Sequence, residues 1–358
     1  MLFQESILQW LLQNGGFMDS QVFILNEKRN VTLTAYLQDD SQEFWRAKKR
    51  PAVVIFPGGA YAYCSDREAD PVAQEYLRAG YHAFVLRYSV GWENAVWPNP
   101  LEDYDQAMEL IAAHAKEWHL IPEKIAVIGF SAGGHLAACA ATMAKHRPAA
   151  AILAYPVILE GLAAICAKGA PGADKAVDSQ TCPCFIAATG TDTTVSAMNS
   201  LRFVEALYEN GISAELHLYA FGPHGFSTAR TSIADPAELC SRTLHWVEDS
   251  ISWLEDVFGA FTSGEMSSPR CPGRVRKDKD PYLSVDCLLA TIAGNQIAVE
   301  RLNQLILVEE TTQKWIAEQK ENLLTTEMTL RSALQFLNVP GEVIRKADEI
   351  LSEIPNRK

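Results

Sequence analysis

The chain has 358 residues, of which 48% are apolar and 21% are charged, an ordinary balance for a globular protein with a sizeable core. Its formal net charge of −13 argues against nucleic acid or an anionic membrane as a partner, since both would repel it. The sequence contains no run of about 18 apolar residues, the length that a bilayer-spanning helix needs.

The first 20 residues predict a short helical segment, because apolar residues recur there at helical spacing before Gly15-Gly16. Glu5 and the lack of a basic start are not typical of a secretory signal. The eight cysteines are scattered, which favours reduced thiols. These features together predict a cytoplasmic protein.

Short apolar runs alternate with longer helical patterns between residues 21 and 261. The predicted strands cover residues 31–37, 52–56, 82–86, 125–129, 150–154, 184–188 and 214–219. The predicted helices cover residues 68–79, 100–119, 134–145, 197–210 and 237–258. This alternation predicts an α/β domain with a mostly parallel sheet and helices on both faces. The inner runs are nearly all apolar, as strands buried on both faces must be.

The composition of the sequence changes after this domain. Residues 262–282 are rich in Ser, Pro, Gly, Lys and Arg, which predicts a linker. Residues 283–358 show helical patterns only, and this predicts an all-helical extension. Five apolar residues near a seven-residue repeat mark one helix face, namely Leu288, Ile292, Val299, Leu302 and Ile306. Such a stripe has to be buried, either on the hydrolase body or against a second copy. The extension is expected to contribute to a homodimer and to supply no catalytic residue.

The run Gly129-Phe-Ser-Ala-Gly133 is the strongest chemical signal in the sequence. It matches G-x-S-x-G, follows a buried strand and opens a helix of small residues. In that setting the chain turns sharply at Ser131 and lifts its hydroxyl above the sheet. Ser131 is therefore the predicted nucleophile.

A serine nucleophile needs a base, and the base needs a carboxylate that fixes its tautomer. Asp192 and His224 each follow a predicted strand, in the chain order Ser, Asp, His that this kind of site shows. Both are expected at the carboxyl edge of the sheet, where ligands bind. The competing residues lie inside strands or helices or follow no strand, and they are His114, His119, His217, His245, Asp174 and Asp178.

The loop Pro57-Gly-Gly-Ala-Tyr61 follows an early strand and is rich in small residues. An oxyanion formed on attack needs N–H donors held in place. We predict that Ala132, next to the nucleophile, supplies one of them. Gly59 and Ala60 are the other predicted donors, with Gly58 in support.

These motifs resemble the hormone-sensitive-lipase-like carboxylesterases of the α/β-hydrolase superfamily. The closest resemblance is to their bacterial acetyl-xylan-esterase-like or feruloyl-esterase-like branch. It is carried by Pro57–Tyr61, Ser65–Ala73, Arg87-Tyr88, Gly129–Ala137 and Gly222–Gly225, and it covers about residues 20 to 258. The resemblance implies an α/β-hydrolase fold and triad roles for Ser131, Asp192 and His224. It also implies that Asp103 braces the site, although a simple N-cap role fits that residue equally well.

The resemblance leaves the substrate open, because residues 160–181 depart from the family pattern in a loop that shapes the substrate pockets. We expect an esterase that removes small acyl groups, with acetyl the leading case, from carbohydrates or other alcohols. The alternatives are an arylformamidase-like amide hydrolase and a hydrolase core that serves as scaffold for the helical extension. No metal or organic cofactor is expected, and the partner is a small-molecule ester.

Overall fold

The computed structural model describes residues 18–39, 43–305 and 318–356. The chain divides into two compact units. The first contains the described residues up to Leu207 together with Ile212–Gly273, and the second contains Tyr208–Gly211 and the described residues from Arg274 onward.

The described residues of the first unit form one eight-stranded sheet. Its strands are β1 (Met18–Asn26), β2 (Val31–Gln38), β3 (Arg50–Phe56), β4 (His82–Arg87), β5 (Leu120–Phe130), β6 (Ala150–Ala154), β7 (Cys184–Thr189) and β8 (Ala214–Tyr219). Their order in the sheet is β1-β2-β4-β3-β5-β6-β7-β8. β2 pairs antiparallel with β1 and with β4, and the remaining pairs are parallel. The predicted α/β class with a mostly parallel sheet is confirmed.

Helices connect the parallel strands, as crossover connections require. They are α1 (Asp70–Arg78), α2 (Asn99–His114), α3 (Ala132–Met143), α4 (Glu160–Cys166), α5 (Met198–Glu209) and α6 (Trp246–Phe258). Short 3₁₀ turns at Asp66–Glu68, Asp174–Ala176, Pro236–Glu238 and Ser241–His245 complete this unit.

The central strands separate two apolar cores. In β3, Val54 and Phe56 belong to the core on one face of the sheet, and Val53 and Ile55 belong to the core on the other. Every residue of β3 is buried. Burial on both faces explains why the inner strands read as continuous apolar runs rather than alternating ones.

The second unit is built from short helices around a core of its own. They are α7 (Leu289–Ala293), α8 (Gln296–Leu305), α9 (Lys320–Thr325), α10 (Leu330–Phe336) and α11 (Gly341–Leu351). Ile292 and Leu302, from the predicted apolar stripe, are buried in this core. These two residues are thus covered by their own unit, and the homodimer stays a prediction. Ile306 lies outside the described residues.

Two predicted boundaries differ from the structure. β1 begins at Met18, so a helical segment cannot extend to residue 20, and residues 1–17 of that segment lie outside the described residues. The predicted linker, residues 262–282, divides between the two units at Gly273. Its first part is held by backbone hydrogen bonds such as Ser267 N–H to Ala260 O at 2.9 Å.

Candidate active site

Ser131 sits at a sharp turn between β5 and α3. Its φ of 52° and ψ of −115° place it in a backbone region that L-residues rarely adopt. The flanking glycines make the turn tight, since a Cβ on Gly129 would lie 2.1 Å from Gly133 O. A Cβ on Gly133 would lie 2.1 Å from Phe56 O, at the end of β3. The sequence therefore folds into the strained turn that the G-x-S-x-G pattern predicts.

The structure brings together Ser131, His224 and Asp192. The Ser131 hydroxyl lies 2.9 Å from Nε2 of His224, and Nδ1 of the same ring lies 2.6 Å from Oδ2 of Asp192. An ionised carboxylate only accepts, so Nδ1 donates to it and Nε2 is left to accept the hydroxyl proton. This chain of hydrogen bonds crosses 93 residues of sequence between serine and histidine.

The Asp192 carboxylate is held on both oxygens. Its other oxygen, Oδ1, accepts the N–H groups of Thr194 at 2.8 Å and Val195 at 2.9 Å. Burial by itself would raise the pKa of Asp192, but the hydrogen bonds from His224, Val195 and Thr194 bring that pKa below its ordinary value. The Asp192 carboxylate therefore remains ionised near neutral pH, where the imidazole of His224 would act as a base.

Two of the competing residues have other partners, and a third lies in a short turn. Asp178 forms an ion pair with Arg147 at 2.5 Å, and Asp174 belongs to a 3₁₀ turn. His217 lies on β8 and contacts Glu215 at 2.8 Å. None of these three residues contacts Ser131 or His224 among the described residues.

The Gly-Gly loop, residues 57–61, lies directly against the nucleophile. A Cβ on Gly58 would meet the Cβ of Ser131 at 3.0 Å. Gly59 and Ala60 both have positive φ, at 126° and 52°. Within residues 18–39, 43–305 and 318–356, nothing accepts a hydrogen bond from the N–H groups of Gly59, Ala60 or Ala132. Gly59, Ala60 and Ala132 stay the predicted oxyanion donors.

Gly58 plays a different part from its two neighbours in the chain, because its N–H group is already used. It donates to Oε2 of Glu68 at 2.7 Å. Tyr61, at the end of the loop, donates to Nδ1 of His135 at 2.8 Å, while Nε2 of His135 contacts Pro171 O at 2.8 Å. Burial lowers the pKa of His135 to about 4, so the ring is neutral and can accept from the tyrosine. These bonds anchor both ends of the Gly-Gly loop.

Asp103 is buried but does not bind the triad. Its carboxylate accepts from Arg29 at 2.6 Å and from the N–H of Ser89 at 2.8 Å. It is the fifth residue of α2, whose N-cap position is Pro98, so the alternative N-cap role is wrong. Asp103 braces the segment that follows β4, at a distance from the reacting groups.

Glu68 and Tyr155 are polar residues of the site that the sequence analysis missed. Tyr155 follows β6, donates to Oε1 of Glu68 at 2.7 Å, and presents its ring to His224 with centroids 4.9 Å apart. Glu68 is 3% exposed although it precedes a helix, where a glutamate is usually a solvated residue that favours the helix N-terminus. The only sequence feature that could have indicated Glu68 is its place in the run Ser65-Asp-Arg-Glu68, which carries part of the family resemblance.

A cavity of about 250 Å³ borders the Gly-Gly loop. It is lined by Ala60, Tyr61, Ala62, Gly91, Trp92, Ala95, Ile165, Cys166 and Lys168. Trp92 is 86% exposed and Ile165 is 71% exposed, so both present apolar surface at its rim. The cavity is a candidate substrate pocket because its walls are largely apolar and it borders Ala60, one of the predicted oxyanion donors.

Two features are absent from the described residues, a membrane-spanning helix and a cluster of metal-binding side chains. No helix in residues 18–39, 43–305 and 318–356 is long and apolar enough to cross a bilayer. No group of three or more His, Cys, Asp or Glu side chains in that part of the chain could hold a metal ion.

Comparison with known proteins places the first unit in a family. The sequence profile of the BD-FAE family matches residues 43–157. The chain is 41% identical to MGS-M1, an α/β-hydrolase enzyme from a Medee basin deep-sea metagenome library, with a TM-score of 0.61 over 67% of this chain and 98% of that one. The chain belongs to the α/β-hydrolase superfamily.

This α/β-hydrolase also resembles two curated bacterial proteins. It is 30% identical over 259 residues to endo-1,4-beta-xylanase B of Butyrivibrio fibrisolvens, covering 63% of this chain and 38% of that protein. It is 29% identical over 197 residues to an acetylxylan esterase of Xylanibacter ruminicola, covering 49% of this chain and 41% of that protein. The α/β-hydrolase thus spans about two fifths of the length of both relatives.

Proposed function

We propose that this α/β-hydrolase is a serine esterase that removes small acyl groups, foremost acetyl, from carbohydrate esters. The observation that carries the proposal is the hydrogen-bonded chain from the Ser131 hydroxyl through His224 to Asp192. Such a chain is the arrangement that makes a serine hydroxyl nucleophilic near neutral pH.

In the proposed reaction, Nε2 of His224 takes the hydroxyl proton while Oγ of Ser131 attacks the ester carbonyl. The resulting oxyanion is held by the open N–H groups of Gly59, Ala60 and Ala132. The carbonyl re-forms, the C–O bond to the alcohol breaks, and the imidazolium gives its proton to the departing alcohol. Water then attacks the acyl-enzyme by the same route in reverse, which releases the carboxylic acid and restores the serine.

The substrate class rests on two kinds of support. The acetylxylan esterase to which the chain is similar is named for acetyl esters of a polysaccharide. The exposed face of Trp92, beside the cavity, offers an aromatic surface on which a sugar ring can stack.

Hydrolysis of a substrate panel tests the proposal. Purified protein is given acetylated xylo-oligosaccharides, short-chain p-nitrophenyl esters and N-formylkynurenine, with Ser131→Ala as the matched control. We expect turnover of the acetyl esters by the wild type and loss of at least about 10³-fold in the variant. Preferential cleavage of the formamide would replace the esterase proposal with an amide hydrolase, and no turnover of any substrate would refute both.

A further inference from the structure

We propose that Glu68 is a positioning residue that ties the Gly-Gly loop to the loop carrying His224 and imposes a negative charge on the triad. The proposal rests on the proposed function, because it assigns a role within that same site. Glu68 is a buried carboxylate that contacts the Gly-Gly loop, and nothing in the esterase mechanism above uses it.

The first step is that each oxygen of Glu68 binds a different segment of the chain. Oε2 accepts the N–H of Gly58 at 2.7 Å, and Oε1 accepts the hydroxyl of Tyr155 at 2.7 Å. Burial raises the pKa of Tyr155 well above its ordinary range, so its hydroxyl remains a donor throughout the working pH range. Each oxygen of Glu68 therefore accepts a hydrogen bond from a neighbour.

The second step is that Tyr155 passes this restraint to the histidine loop, residues 220–229. The Tyr155 oxygen accepts the N–H of Ser227 at 3.0 Å, and the ring edge rests against His224. The Ser227 hydroxyl in turn donates to Arg67 O at 2.5 Å, next to Glu68 in the chain. Ser227 is fully buried and has a φ of 46°, so the loop is fixed three residues after the base.

The third step concerns charge. The titratable and charged groups around the histidine loop come from three segments: Asp192 after β7, Tyr155 after β6, and Arg67 and Glu68 before α1. A Cβ on Gly225 would meet the guanidinium of Arg67 at 3.4 Å. The negative charge of Glu68 favours the imidazolium that forms during attack, in addition to the charge of Asp192. Glu68 thus acts on the base through Tyr155, without touching substrate.

Glu68→Gln tests this, because glutamine keeps the size and can still accept from Gly58 but carries no charge. Ester hydrolysis is followed against pH, with folding checked by circular dichroism and thermal unfolding. We expect kcat to fall on the order of tenfold with KM little changed, less than the loss when an oxyanion donor is removed outright. We also expect the acidic limb of the pH–rate profile to move to lower pH by roughly half a unit or more.

Two further variants make the test specific. Glu109→Gln removes one negative charge from an exposed pair with Lys145 and should leave both rate and pH profile unchanged. Tyr155→Phe cuts the link to Ser227 while leaving Glu68 in place, and should also lower kcat. Because Glu68 and Tyr155 act through one bond, the double variant should be no worse than the poorer single variant.

A folded Glu68→Gln protein with the wild-type rate and pH profile would overturn the proposal. So would a lower kcat with an unmoved acidic limb, since that pattern is typical of a purely structural residue. If Glu68→Gln fails to fold, additive losses in kcat for Tyr155→Phe combined with Glu68→Asp would overturn it instead. If the wild type showed no turnover, that result would count against the proposed esterase activity. The rates of the variants relative to the wild type would then be measured by fluorophosphonate labelling.

Discussion

At the scale of single residues, the protein contains two kinds of histidine. His224 shares its two ring nitrogens between Ser131 and Asp192 and lies open to the surface by about a fifth of its side chain. His135 and His82 are completely buried, and burial lowers the pKa of each to about 4. The first kind can exchange protons with a substrate, and the second stays neutral and holds neighbouring elements together.

The triad roles predict an unequal loss of rate. His224→Ala removes the proton acceptor and should approach Ser131→Ala in severity, with kcat reduced about 10³-fold or more. Asp192→Asn keeps a hydrogen-bonding group beside Nδ1 and should leave more activity, since the carboxylate orients and stabilises the ring. Steady-state kinetics on p-nitrophenyl acetate checks both. An Asp192→Asn protein indistinguishable from wild type would mean that another carboxylate completes the triad.

The buried histidines predict a loss of stability in acid. Above pH 6.5 neither the folded nor the unfolded state protonates them, and the full stability is present. Between pH 6.5 and about 4 the unfolded chain binds protons that the folded chain refuses, so the free energy of unfolding falls as the pH falls. For His82 alone the loss should reach about 3 kcal/mol.

Urea unfolding at pH 7.5, 5.5 and 4.5 measures this loss, with His82→Gln as the comparison. His82 lies far from the triad in the fold, where Nε2 donates to Trp118 O at 2.8 Å. The variant should be less stable at pH 7.5 but should lose less stability on acidification. Parallel pH dependence in the two proteins would show that another group controls the acid transition.

The sequence predicted Ser131, Asp192 and His224, which the structure brings together. Each has a local signature: a strained turn, or a polar residue directly after a buried strand. Glu68 and Tyr155 have no such signature. Their role arises from contacts between segments 87 residues apart, which no local pattern records. The predicted bracing role of Asp103 likewise needed the structure to show that its partners are Arg29 and Ser89.

At the scale of elements, seven of the eight described strands were predicted, including β8 at one edge of the sheet. β3 and β5 to β7 were recognised because burial on both faces leaves long apolar runs. β1 was missed because it exposes Val22 and Ile24, each by 65%, so its sequence does not alternate between apolar and polar residues. In the extension, a long helix was expected over the heptad pattern, but Gly294 and Asn295 interrupt it. The Asn295 side chain accepts from Ala298 N–H at 3.0 Å and starts α8 anew.

The loop between β4 and α2 predicts a test of substrate size. Trp92 lies in this loop at the rim of the cavity beside Ala60. Trp92→Ala should raise KM for acetylated xylo-oligosaccharides by about tenfold, the loss of one aromatic stacking contact, while leaving kinetics on p-nitrophenyl acetate nearly unchanged. Tyr63→Ala, which removes another exposed aromatic residue, serves as the control. Equal effects of Trp92→Ala on both substrates would exclude a sugar-binding role for this residue.

At the scale of the whole molecule, the two units have separate cores. All the site residues discussed above belong to the first unit, from Gly58 to Ser227. The second unit buries Ile292 and Leu302 within itself, so its apolar residues do not by themselves demand a partner chain. That the extension supplies no catalytic residue and contributes to a homodimer stays a prediction.

A chain truncated after Gly273 addresses that question. It retains the complete site, and we predict that it keeps esterase activity within about threefold of the full chain, an effect smaller than 1 kcal/mol. If the extension contributes to a homodimer, sedimentation velocity should show a dimer for the full chain and a monomer for the truncated one. Complete loss of turnover in a folded truncated protein would show that the extension contributes to the active site.

The most direct test of the account is covalent labelling of the nucleophile. Purified protein is treated with a fluorophosphonate, digested and sequenced by mass spectrometry, alongside Ser131→Ala and His224→Ala. We predict one adduct on Ser131 in the wild type, none in Ser131→Ala, and labelling slowed by about 10³-fold or more in His224→Ala. An adduct on another serine, or labelling that survives in Ser131→Ala, would contradict the assignment of Ser131 as the nucleophile.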